Sequence, residues 1–256
     1  MTKSVGANGA TIQTIASSEP GRETSETPEK PRDLKILICV PSHGDCKTGF
    51  LHSAVRAAIH FSSLAYDGKK EVDITIVKGS LLPQVRAMLV ARAYDYNATH
   101  ILWVDTDMKF PPDTITRLLN HNVAVVAANY PRKNLEARPT AYADGDDYVG
   151  PVWTGENSTG LQEVAVAGFG VMLTDMRVFD ALELPFFAIL PQPPDNVKHV
   201  GEDVYFCRKL HDAGIPVHID HDLSKQVGHI GEFEYTNYLS KEAEVVKQAL
   251  YRDLPG

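Results

Sequence analysis

The chain has 256 residues, 43% of them apolar, and a formal charge of −8. That is enough chain to bury a sizeable core. No Lys/Arg run forms a nucleic-acid stripe, and no stretch approaches the ~20 apolar residues of a membrane span. No apolar leader opens the sequence. The cysteines, Cys39, Cys46 and Cys207, are odd in number and outside any C-x-x-C, which suits free thiols in a reducing cytoplasm. A cytoplasmic location is therefore expected.

Residues 1–33 carry no aromatic side chain and are rich in Ser, Thr, Glu, Gly and Pro, so a disordered tail is expected there. The run KILICVP at 35–41 predicts a buried strand. Phe50, Ala54, Ala57, Ala58 and Phe61 recur at helical spacing and predict a helix to about residue 66. A strand at 72–77, a helix at 83–96 with Pro near its start, and a strand at 100–104 follow. Pro111-Pro112-Asp113 opens a third helix to about 121, before a strand at 123–128. This alternation predicts a mostly parallel sheet covered by helices. Residues 130–163 are rich in Pro, Gly, Asp and aromatics, with short strands at most. Strands at 163–167 and 171–174, a helix at 176–182 and a polar, Pro-rich loop at 191–201 come next. A helix at 202–213 stopping at Gly214, a short strand at 217–219 and a helix at 239–254 complete the chain. In the last, Leu239, Ala243, Val246 and Leu250 form one stripe.

Asp105-Thr106-Asp107 directly follows the apolar run Ile101-Leu102-Trp103-Val104. A strand ending in two acids puts them at the carboxyl edge of the sheet, where open α/β folds bind ligands. Adjacent carboxylates repel, so the pair favours a divalent cation with oxygen ligands. The plainer alternative is one acid in a turn and one in solvent. The loop after the first strand, residues 41–49, resembles a P-loop in its Gly44 and Gly49 spacing, but Phe50-Leu51 replace the Lys and Ser/Thr. Nucleoside-triphosphate hydrolysis is not expected from it.

An ordered series of motifs over about residues 35–232 resembles the GT-A-fold glycosyltransferases, the nucleotide-diphosphosugar transferases. It comprises the Pro41-Ser42 strand edge, Arg86, I-L-W-V-D-T-D-M with Phe110-Pro111 beyond it, Tyr130-Pro131-Arg132-Lys133, Ala167-Gly168-Phe169-Gly170-Val171-Met172-Leu173, Gly201-Glu202-Asp203 and Gly228-His229. The likeness is nearest to small phage-type or bacterial stand-alone enzymes. It implies a three-layer α/β/α fold with a mostly parallel sheet and a smaller mixed acceptor-side region. One catalytic domain would span 34–256: a nucleotide-sugar half at 34–129, an acceptor and catalytic half at 130–232, and a C-terminal helix at 233–256.

The same resemblance implies that Asp107, Asp105 and His229 bind Mn²⁺ or Mg²⁺, with Asp105 also reaching the ribose or a water on the metal. Pro41, Ser42, His43, Arg86, Thr106 and Lys133 would face the donor, a nucleoside-diphosphate sugar with UDP favoured. Trp153, Gly168 and Phe169 would face the acceptor: a glycan, a small molecule, a protein or a hydroxymethylated base in phage-like DNA. Asp203, with Glu202 beside it, is the candidate general base at a helix start, where the dipole favours the ionised form.

Each assignment has a plainer rival. Glu202 and Asp203 complement a helix start in any case. Arg132 and Lys133 also read as solvated loop charges, and Arg86 as the partner of a surface acid. Gly168 and Gly170 also suit a strand bend, and Trp153 and Phe169 also suit core packing. His218, Asp220, His221 and Asp222 form a rival metal cluster. At the level of function, the alternatives are a haloacid-dehalogenase-type phosphotransferase with Asp105 as nucleophile, a sugar-nucleotide pyrophosphorylase and a non-catalytic nucleotide-sugar-binding module.

Overall fold

A computed structural model describes residues 32–133, 137–143, 150–192 and 195–231. The expectations of a tail before residue 32 and of a helix at 239–254 lie outside the described residues.

The first half alternates strands and helices: β1 (Leu34–Ser42), α1 (Thr48–Ser63), β2 (Lys70–Lys78), α2 (Leu82–Tyr96), β3 (His100–Val104), β4 (Met108–Lys109), α3 (Thr114–Asn120) and β5 (Val125–Ala127). The second half holds β6 (Leu161–Val164), β7 (Val171–Asp175), α4 (Arg177–Ala181), β8 (Leu190–Gln192), β9 (Asp195–Val200), α5 (Glu202–Asp212), β10 (Val217–Asp220), α6 (His221–Ser224) and β11 (Gly228–His229).

Seven strands form one sheet in the order β2-β1-β3-β7-β5-β10-β6. β1 pairs parallel with both β2 and β3, and β5 pairs parallel with β10. β7 runs antiparallel between β3 and β5, and β6 is an antiparallel edge beside β10. Side-chain alternation sends Leu37, Cys39, Ile101 and Trp103 to one face and Ile36, Ile38, Leu102 and Val104 to the other. The first face packs on α2, α4 and α5 through Leu89, Phe179 and Phe206, among others. The second packs on α1 and α3 through Phe50, Phe61, Ile115 and Leu118. Burial on both faces explains why the central strands read as unbroken apolar runs. The result is the expected three-layer α/β/α arrangement with a mostly parallel sheet.

Local chemistry sets the helix ends. Pro83 stands in the first turn of α2, and Asn97 closes that helix in the left-handed region at φ 55°, its N–H reaching the Ala93 and Tyr94 carbonyls. Glu202 and Asp203 open α5, and Lys209 and His211 close it, so both ends complement the helix dipole.

Nothing in the apolar pattern disclosed the reversed direction of β7, because a strand buried on both faces reads the same either way. Two expectations are corrected. Residues 191–201 are not a plain loop: β8 and β9 pair antiparallel as a two-stranded sheet. The third helix begins at Thr114, after Pro111-Pro112, because the segment first pairs as β4 and turns. Among the described residues no helix is long and apolar enough to cross a membrane, and all three cysteines are free, with Cys39 and Cys207 buried.

Candidate functional site

The carboxyl edge of β1 and β3 brings the first group of residues together. Pro41 and Ser42 end β1 as buried residues, while His43 is exposed. The Ser42 hydroxyl accepts from the Gly44 N–H at 3.0 Å, shaping the loop that follows. The Lys47 N–H then donates to the Thr106 carbonyl at 2.8 Å, tying that loop to the Asp-Thr-Asp turn. The turn itself is closed by Met108 N–H on the Asp105 carbonyl at 3.2 Å.

Beyond the turn, β4 pairs antiparallel with β11, setting His229 opposite Met108 and Gly228 opposite Lys109. The Ile230 N–H donates to the Asp107 carbonyl at 2.8 Å. This short pairing, joining residues some 120 positions apart, places His229 Nε2 3.4 Å from Asp107 Oδ1. His229 Nδ1 lies 3.0 Å from the Pro131 carbonyl. A carbonyl can only accept, so Nδ1 carries the proton, and in the neutral ring Nε2 is the lone-pair nitrogen. In that neutral ring a nitrogen lone pair and a carboxylate oxygen converge on one point, an arrangement that calls for a cation; in the protonated ring Nε2 donates to the carboxylate itself. Lys133 Nζ meets part of that call by pairing with Asp107 Oδ2. Burial raises the Asp107 carboxyl, but hydrogen bonds and charge from His229 and Lys133 outweigh it and hold its pKa down to about 2. Asp107 is therefore ionised throughout the neutral range.

The donor set fits a divalent cation of the Mn²⁺ or Mg²⁺ kind through one hard carboxylate and one imidazole whose second nitrogen is oriented by a carbonyl. Asp105 departs from the expected ligand set. Its Oδ1 accepts from Arg86 Nη2 at 3.3 Å, so it turns toward the helix α2 side. Among the described residues no group of three or more His, Cys, Asp and Glu side chains is placed to share one metal.

Arg86 is only 2% exposed and bridges two acids, with Nε donating to Glu202 Oε1 at 3.2 Å. Its guanidinium lies 4.3 Å from the Phe169 ring centroid and 5.5 Å from that of Trp103. Arg86 therefore joins the end of β3 to the start of α5, and the expectation of a surface pairing is corrected to a buried one. Burial raises the pKa of Glu202, with the Arg86 charge opposing. Asp203, next along α5, is likewise raised by burial, against the Val204 N–H that donates to it at 2.8 Å.

The acceptor-side residues divide. Trp153 is 60% exposed and leaves its indole faces open. Phe169, at 2%, is packed against Trp103, Phe187 and Phe206 and offers no face to a sugar. The close approach that Gly168 and Gly170 permit is filled by the protein itself. A Cβ on Gly168 would stand 2.5 Å from the Tyr130 hydroxyl, and one on Gly170 2.5 Å from Tyr130 Cζ. The Gly170 N–H donates to that hydroxyl at 2.9 Å, and the Tyr130 ring meets His229 edge-on at 5.3 Å. Tyr130 is thus the pivot under His229. Residue-by-residue reading gave it no role; the signal was a pair of glycines one residue apart, which asks for a bulky neighbour.

Of the rival cluster, His221, Asp220 and Asp222 are engaged in structural hydrogen bonds, while the buried Nδ1 of His218 has no hydrogen-bond partner among the described residues. His221 uses both ring nitrogens, on Thr154 at 2.9 Å and Gln162 at 2.8 Å. Asp220 meets His121 at 2.8 Å and accepts from the Leu223 N–H, capping α6. Asp222 accepts from the Gly160 N–H and pairs with Lys225.

No family model and no curated protein matches this chain. Solved structures do. GalNAc-T7, crystallised with UDP, GalNAc and Mn²⁺, aligns over 84% of this chain and 47% of its own, at 13% identity and a TM-score of 0.50. The chain thus spans about half the length of that relative. A197 from STIV aligns over 80% of this chain and 100% of its own, at 14% identity and a TM-score of 0.47. The catalytic domain of Drosophila beta1,4galactosyltransferase 7, in complex with xylobiose, aligns over 81% and 78%, at 12% identity and 0.46. The seven-stranded architecture together with the GalNAc-T7 alignment defines the class: the chain has the GT-A fold of glycosyltransferases.

Proposed function

We propose that this protein is a metal-dependent glycosyltransferase that moves a sugar from a nucleoside-diphosphate sugar, UDP-linked by preference, to an acceptor hydroxyl. The observation that carries the reading is the convergence of Asp107 and His229 at the carboxyl edge of the sheet, with the His229 ring oriented by the Pro131 carbonyl. The fold is shared with GalNAc-T7, whose structure holds UDP, GalNAc and Mn²⁺.

In this reading Asp107 and His229 hold Mn²⁺ or Mg²⁺, which when bound neutralises charge developing on the leaving diphosphate. Lys133, already drawn to Asp107, transfers to a diphosphate oxygen when the donor enters, a charge-assisted contact. Arg86 holds one oxygen of Asp105 and leaves the other for a donor hydroxyl. Pro41, Ser42, His43 and Thr106 line the nucleotide side. Asp203 takes the proton of the acceptor hydroxyl. Burial raises its pKa, which strengthens it as a base. Glu202 fixes Arg86, and Trp153 offers the acceptor a stacking face. The acceptor is a glycan, small molecule, protein or modified DNA base.

The test is a thermal-shift and turnover screen of UDP-, GDP- and other nucleotide sugars, with and without Mn²⁺. A donor at a hundred times its Kd should stabilise the fold by about 2.7 kcal/mol, only when metal is present. Asp107→Asn should abolish that response. Stabilisation by a nucleotide sugar that ignores both metal and Asp107→Asn would defeat the reading.

A further inference from the structure

A second concave site lies between α1, β4 and the segment that follows β4. It holds about 240 Å³ and is lined by His52, Ser53 and Arg56 of α1, by Lys109 of β4 and by the Phe110-Pro111-Pro112 run. His52 and Arg56 stand four residues apart and so share one face of the helix. No carboxylate lines the pocket among the described residues. The acids next to it in the chain are committed to other cations, Asp113 to Arg117 and Asp222 to Lys225. In a chain of net charge −8, the pocket therefore keeps an uncompensated positive field.

The donors around it are unspent. Among the described residues the side chains of His52, Arg56 and Lys109 make no hydrogen bond or ion pair. Ser53 adds a buried donor. It is 3% exposed, and its hydroxyl accepts from the Phe110 N–H at 3.0 Å, while its own proton has no acceptor among the described residues. Arg56 brings a planar fork of N–H groups and Lys109 a mobile point charge. Together these groups hold more donors than the two oxygens of a carboxylate can use. A phosphate monoester offers three terminal oxygens and a charge of about −1.5 to −2. The volume is under the roughly 300 Å³ at which pockets for whole small molecules begin, so it suits one anionic group and not an entire nucleotide.

We propose that this pocket binds a phosphate group, at a site distinct from the Asp107–His229 pair, through Arg56, Lys109 and the Ser53 hydroxyl, with His52 at its side. The two sites are neighbours. Lys109 is two residues beyond Asp107, so their Cα atoms stand at most about 7 Å apart. A molecule with its phosphate in the pocket therefore lies alongside the proposed transfer site. Pro111 and Pro112 have fixed φ and no N–H, so they form a preformed apolar wall for the body of such a molecule. A phosphate carried on an organic substrate and free inorganic phosphate present the same chemistry to these donors. Binding of either requires neither the metal nor the transferase reading.

Titration calorimetry of the full chain with inorganic phosphate, without metal and at constant ionic strength, tests the proposal. Binding should saturate at one phosphate per chain. Arg56→Gln and Lys109→Gln, both at exposed positions, should each weaken it about tenfold or more, the loss of one charge-assisted hydrogen bond. Arg92→Gln removes the same charge from the exposed side of α2 and should change the affinity by no more than about twofold. Asp107→Asn should keep the binding as well, so the result stands even if the transferase reading fails. A hexose phosphate that binds several-fold more tightly than inorganic phosphate, while the free hexose does not bind, would assign the phosphate to an organic substrate. Equal affinities would assign the pocket to free phosphate. Three results would overturn the proposal: no saturable phosphate binding, binding that survives both pocket variants or falls equally in Arg92→Gln, or binding that disappears in Asp107→Asn.

Discussion

Lys133→Ala separates two roles that the structure superimposes. Lys133 Nζ pairs with Asp107 Oδ2, on the same carboxylate that faces His229. A divalent cation bound at Asp107 Oδ1 would therefore compete with an ammonium already held on Oδ2. The Lys133 side chain is 40% exposed and that of Asp107 21%, so solvent screens the pair, and it is worth at most about 1 kcal/mol. Removing Lys133 should thus tighten Mn²⁺ binding in the absence of nucleotide, by no more than about five-fold. With donor present the sign reverses. A lysine that has moved to the diphosphate contributes a charge-assisted hydrogen bond of about 1.5–3 kcal/mol, so the variant should bind UDP roughly 10- to 150-fold more weakly at saturating Mn²⁺. Titration calorimetry of Mn²⁺ alone, then of UDP with Mn²⁺, reads both. Weaker Mn²⁺ binding in the nucleotide-free variant would refute the competition, and unchanged UDP affinity would remove Lys133 from the donor site.

Arg86→Ala should destabilise the fold by about 3–5 kcal/mol in urea unfolding, because it strands buried Glu202 and frees Asp105. A loss under about 1 kcal/mol would mean that water replaces the guanidinium. Gly170→Ala forces a Cβ to within 2.5 Å of Tyr130 Cζ and should cost about 1–3 kcal/mol. It should also weaken Mn²⁺ binding several-fold through the shifted Tyr130–His229 contact, whereas Gly155→Ala, with nothing within 4 Å, should leave metal binding unchanged. Burial lowers the pKa of His100 from 6.5 to about 4, against the nearby Asp175 charge. The folded state then binds fewer protons than the unfolded one between those values, so stability is full above pH 6.5 and falls by up to about 3 kcal/mol as pH drops to 4. Asp175 acts in a lower window. Burial raises it, but Arg177, His100 and Arg32 hold it at about 2, so its contribution is present above pH 3.8 and fades below that. Denaturant midpoints from pH 7 to 3 should show the upper step vanish in His100→Phe; an unaltered step would assign it elsewhere.

The sheet was legible because β1, β3 and β5 are buried on both faces and announce themselves as continuous apolar runs. Apolarity does not encode which strand lies beside which, so the antiparallel β7 between β3 and β5 was not visible. The candidate site divides the same way. Asp105 and Asp107 were legible because a strand end fixes their edge, but the difference between them was not. Only the fold shows Arg86 claiming Asp105 while Lys133 and His229 claim Asp107. His229 was placed by motif order, yet its geometry rests on β4 and β11, two residues each, too short to leave a periodic trace. Phe169 and its flanking glycines left two readings open because small-aromatic-small describes a ligand shelf and a packed core equally well. The discriminating residue, Tyr130, lies some 40 positions away, and its hydroxyl on the Gly170 N–H shows that the space was already taken. A glycine pair therefore signals close approach without saying by what. The occupant here is a ring that packs edge-on to His229, so a mutation in the Gly-Phe-Gly segment reaches the Asp107–His229 pair without touching either residue.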